Sequence, residues 1–71
     1  MPSRKSDERR RRLELDRAAE EIVSLRSSLD DAYAHFNQTT DSGALDACIF
    51  EINALRARYN TALKHYRDRY Y

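Results

Sequence analysis

One glycine, Gly43, and one proline, Pro2, are all this chain has in the way of helix-breaking residues. From Ser6 to Phe36, and again from Ala44 to Tyr71, nothing interrupts a helix. Between the two stretches lies Asn37-Gln38-Thr39-Thr40-Asp41-Ser42-Gly43, a cluster of turn formers. Asp41 is placed to cap a second helix, its carboxylate accepting from free backbone N–H groups, and Ser6 is placed to cap a first. The expectation is an all-α chain: a helix over about 7–36, a loop over about 37–42 and a helix over about 43–69. Each helix is about 45 Å long at 1.5 Å per residue, and a loop this short makes the pair antiparallel.

The apolar spacing agrees. Leu15, Ala18, Ile22, Leu25, Leu29, Ala32 and Phe36 alternate three and four apart in the first segment. Leu45, Cys48, Ile52, Leu55, Tyr59, Ala62 and Tyr66 repeat the pattern in the second. These are the a and d positions of a heptad, with Leu15 and Leu45 both at a. One antiparallel register pairs the whole seam. Phe36 meets Leu45, Leu29 meets Ile52, Ile22 meets Tyr59 and Leu15 meets Tyr66. The thinner layers are Ala32 with Cys48 and Ala18 with Ala62.

The same register sorts the flanking positions. At g, Glu21 comes opposite Arg58 and Glu14 opposite His65, pairs that select register more than they stabilise it. At e, Ala19 meets Leu63 and Tyr33 meets Ile49, with Val23 close by at b, so that side is an apolar strip. Arg26 meets Arg56 in its middle, an arrangement that calls for a partner's carboxylates. Ala19, Val23, Arg26, Tyr33, Ile49, Arg56 and Leu63 are therefore the expected self-association surface. The expected assembly is a homodimer packed as a four-helix bundle, or the hairpin docked on another helical protein.

Charge is distributed unevenly along the chain. Residues 1–12 carry a net +4, residues 13–55 a net −7 and residues 56–71 a net +4, within a total of +1. Folding back puts both basic segments at the open end of the hairpin. Arginines at a helix N-terminus oppose the helix dipole, so residues 1–12 are expected to form a basic, partly disordered tail or frayed helix start, ahead of a hairpin over 13–71. A polyanion, RNA before DNA, or the ribosome is the alternative partner, held by Arg9, Arg10, Arg11, Arg12, Lys64, Arg67, Arg69 and Tyr70. A sequence pI of about 7.9 is low for a domain committed to nucleic acid.

Catalytic and metal-binding patterns are absent from the sequence. His35 and His65 form neither a His-x-x-x-His nor a Glu-x-x-His pair, so no metal ligand set, cofactor or small-molecule substrate is expected. Cys48 reads as a small buried apolar residue and has no second cysteine to pair with, which suits a reducing, cytoplasmic setting. The basic amino-terminal segment has no apolar stretch behind it, so neither a signal peptide nor a membrane anchor is expected. A non-enzymatic interaction or scaffold module is the reading these features leave.

A resemblance adds to this. Phe36-Asn37, Thr40-Asp41, Leu45-Asp46, Ile49-Phe50-Glu51, Ala54-Leu55, Arg58-Tyr59 and Leu63-Lys64 resemble the YaaL-like family of short helical bacterial proteins, a domain of unknown function. The likeness covers roughly residues 13–66. It departs where relatives often carry Asp-Pro at the start of the second helix, since Ser42-Gly43-Ala44 follows Asp41 here. The resemblance implies a bacterial, cytoplasmic helical hairpin and supplies no activity.

Overall fold

The computed structural model describes residues 4–71. It holds two α-helices, α1 (Arg4–Gln38) and α2 (Ser42–Tyr70), and no strand among the described residues. They pack antiparallel, since Glu14 near the start of α1 meets Arg69 near the end of α2, while His35 and Cys48 meet near the turn. The result is a rod with extents of 60 × 17 × 17 Å.

Three residues, Thr39 to Asp41, make the turn. The Thr39 hydroxyl donates to the His35 carbonyl at 2.8 Å, and the Thr39 N–H donates to the Phe36 carbonyl at 3.3 Å, so the last turn of α1 is closed from within. Asp41 is the N-cap of α2. Its extended backbone (φ −76°, ψ 130°) lets Oδ2 accept from the Ala44 N–H at 3.0 Å, and its carbonyl accepts from the Leu45 N–H at 2.8 Å. Gly43 lies inside the first turn of α2 and, like every described residue, has no positive φ. It punctuates the sequence without being required by the backbone.

The helices outrun their expected ends. α1 continues two residues past Phe36 to Gln38, because Asn37 and Gln38 can still follow the helix before Thr39 closes it. At the other end, Arg4–Arg12 are helical and continuous with the rest of α1, and the first three residues of the expected basic tail lie outside the described ones. The stretch has no breaker, and Arg, Lys and Glu are good helix formers. The spacings Arg4 to Glu8, Asp7 to Arg11 and Glu8 to Arg12 also place opposite charges four apart. At 35 residues against 29, α1 is longer than α2 by roughly 9 Å, so its first turns project beyond the hairpin.

The seam is the contact. Ala32, Cys48 and Ile52 are buried, and every other seam residue from Leu15 to Phe36 and from Leu45 to Tyr66 is half-buried. The dry part of the core therefore sits toward the turn, in the thin Ala32–Cys48 layer and the adjoining Ile52. Two helices cannot enclose more than this, because each offers its partner one stripe and leaves the rest of its surface to water.

Candidate interaction surface

The two broad faces of the hairpin differ in chemistry. On the g side, Glu21, Leu25, Arg58, Ala62 and His65 line a shallow depression. Glu21 and Arg58 share it, as the register predicts, without closing to an ion pair. Glu14 pairs with Arg69 at 3.0 Å, not with His65, and this is the one ion pair among the described residues. A long arginine reaches a full turn beyond the level of its own Cα, so register alone does not choose its partner.

The e side is apolar. Ala19, Ile22, Val23, Leu63, Tyr66, Arg67 and Tyr71 line an open groove of about 720 Å³ between the helices toward the open end. Val23 is 69% exposed, Leu63 37% and, nearer the turn, Ile49 46%. Ala19 and Tyr33 are half-buried. The structure thus brings Ala19, Val23 and Leu63 together in one groove, with Tyr33 and Ile49 further along the same side. Phe50, 78% exposed at the neighbouring f position, enlarges the apolar surface near the turn. Seam periodicity does not reveal it, though a large aromatic off the seam beside Ile49 is the signal that does.

The paired arginines part company. Arg56 Nη2 donates to the Tyr33 hydroxyl across the helices, so Arg56 has a partner within its own chain. Arg26 is exposed and makes no hydrogen bond or ion pair among the described residues.

At the open end the basic residues do not converge on one patch. Arg10 and Arg11 line a depression with Asp7, Glu14, Arg69 and Tyr70, where carboxylates already sit among the guanidinium groups. Arg9 and Arg12 line a separate depression with Lys5 and Glu8 on α1 alone. Four successive residues on a helix, about 100° apart, necessarily point around most of its circumference. Lys64 and Arg67 lie further along α2 and are exposed. The tyrosines pack on one another, Tyr66 with Tyr70 at 5.2 Å and with Tyr71 at 5.9 Å between ring centroids. The Arg69 guanidinium lies 5.8 Å from the Tyr70 ring centre.

Near the turn, Cys48 Sγ lies 3.5 Å from His35 Nδ1. No group of three or more His, Cys, Asp or Glu side chains is placed to hold a metal ion among the described residues. No helix among them is long and apolar enough to cross a membrane. Comparison of the chain with protein-family models, with curated proteins and with solved structures finds no match.

Proposed function

We propose that this chain is a non-enzymatic interaction or scaffold module that self-associates through the e side of its hairpin. The observation that carries the reading is the amount and placement of exposed surface. The chain exposes 6077 Å². A compact monomer of 8.4 kDa exposes about 4,600 Å² by the usual scaling of area with mass. Of the exposed large apolar side chains, Val23, Ile49 and Leu63 lie on the e side, Tyr71 lines the same groove and Phe50 adjoins them, while Leu13, at an f position of α1, stands apart from the groove. Three buried residues among those described make a small core, and association through a second apolar surface is one way small helical folds gain stability. A cytoplasmic setting and kinship with the YaaL-like family belong to the same proposal. They draw on Cys48 as a free thiol and on the motif around the turn and α2.

Ile49→Asp and Leu63→Asp test it. Each is expected to turn a dimer into a monomer in sedimentation equilibrium, or to lower the melting temperature if the monomer is marginal. Unchanged mass and unchanged melting temperature in both variants would remove the reading.

The alternative, a polyanion held at the open end, draws on the exposure of Arg9, Arg10, Arg11 and Arg12 near the start of α1. It is the weaker reading. Arg69 is engaged by Glu14, Tyr70 is packed on Tyr66, and the four arginines divide between two faces.

A further inference from the structure

The e side carries, along α1, a charge pattern that is its own complement when reversed. At alternating spacings of three and four, the stripe reads Arg12, Asp16, Ala19, Val23, Arg26, Asp30. In charge this is plus, minus, neutral, neutral, plus, minus. Asp16, Ala19 and Val23 share one depression on α1, and Ala19 and Val23 also line the apolar groove against Leu63. Arg12 continues the stripe toward the start of α1, where it shares a depression with Lys5 and Arg9. Arg12, Asp16, Arg26 and Asp30 are all exposed, and none has an ion-pair partner among the described residues.

We infer that the occupant of this face is a second copy of the chain docked in the opposite direction, α1 against α1, about a two-fold axis between Ala19 and Val23. This inference rests on the self-association proposed above and specifies its geometry. Reversal sets Ala19 of one copy against Val23 of the other at the centre. It sets Asp16 against the second copy's Arg26, and Arg12 against the second copy's Asp30. The two-fold repeats each contact, giving four complementary pairs on the rim of an apolar centre. It also supplies a carboxylate for Arg26, which has none among the described residues of its own chain.

The same docking disposes of the longer-range charge. The basic open end of each hairpin is laid along the acidic body of the other, where residues 13–55 carry −7. The parallel alternative stacks α1 on α2 at equal levels. It brings two Arg26 and two Arg56 side chains to one layer and joins two basic ends within roughly a helix diameter, about one Debye length at 0.1 M salt. Reversal has one kind of like-charge contact, Arg56 near the second copy's Arg67, made twice by the two-fold, and Arg56 is drawn away from it by the Tyr33 hydroxyl.

Two measurements on the full chain decide the matter. A nitroxide at the turn, on Thr40→Cys in a Cys48→Ala background checked for helicity by circular dichroism, reports the distance between turns across the dimer. The reversed arrangement places the labels about 55 Å apart at 1.5 Å per residue; the parallel one brings them within about 25 Å, since packed helices lie 8–10 Å apart. A long distance upholds the inference. A short distance overturns it while leaving self-association standing, and a chain that stays monomeric overturns both. In the second measurement, Asp16→Arg and Arg26→Asp are each expected to weaken the dimer at least tenfold. The double variant restores the pairs and should return to within about threefold of the parent. A double variant as weak as the singles overturns the inference.

Discussion

Cys48 and His35 belong to different helices, yet the Cys48 thiol sits 3.5 Å from His35 Nδ1 beneath the turn, with Cys48 buried and His35 exposed. The contact joins the last two turns of α1 to the second turn of α2. It marks the place where the hairpin is driest, beside Ala32 and Ile52. The thiol consequently reports on whether that layer is closed.

Native Cys48 is expected to react with a bulky thiol reagent such as Ellman's at least tenfold more slowly than the same chain in denaturant. Its rate should rise with urea in parallel with the loss of helical circular dichroism, because access requires the layer to open. A thiol that reacts at the unfolded rate in native buffer would show that the Ala32–Cys48 layer is not closed.

Ile52 carries more of the packing than any larger exposed residue. Ile52→Ala is expected to cost about 2–4 kcal/mol, read from urea or thermal unfolding, as for other buried aliphatic truncations. Phe50→Ala removes a larger side chain that is mostly solvated in the hairpin, and should cost under about 0.5 kcal/mol within a single chain. A cost at Phe50 comparable to that at Ile52 would mean that a second chain covers the aromatic ring.

The start of α2 offers a pair of opposite effects. Asp41→Ala removes the acceptor for the Ala44 N–H and should destabilise by about 1 kcal/mol. Gly43→Ala should stabilise by about 0.5 kcal/mol, because its φ is not positive and an added Cβ meets only Asp41 Oδ2, at 3.4 Å. Both are read from the midpoint of a thermal melt.

For the open end, anisotropy of labelled RNA and duplex DNA at low and near-physiological salt is the direct assay. Binding confined to low salt, where it follows net charge and weakens as alanine replaces Arg9, Arg10, Arg11 and Arg12, is the outcome expected of basic residues split over two faces. Binding that survives physiological salt and is lost in the alanine variant would establish the polyanion reading.

Much of this architecture is written in residue spacing. The seam is legible because every a and d position from Leu15 to Tyr66 is apolar or aromatic, and the cap because Asp41 precedes an unbroken stretch. The arginine run is less legible. Counting charge along the start of the chain suggests one basic patch, whereas a helix through Arg4–Arg12 distributes its arginines around the axis. Flexible side chains escape register for a different reason. Arg56 reaches Tyr33, and Arg69 reaches Glu14, by leaning along the helix beyond the position that faces them. Of the candidate interface, spacing shows the apolar side of the hairpin but not Phe50, which belongs to no periodic position.

A rod of 60 × 17 × 17 Å has a hydrodynamic consequence. Its radius of gyration is 17.2 Å, where a compact chain of this length has about 11 Å and one of roughly 220 residues has the same value. A single hairpin will therefore show a scattering radius of about three compact chains, and it will pass a gel-filtration column as a larger particle than it is. Only a mass measured independently of shape distinguishes one copy from two.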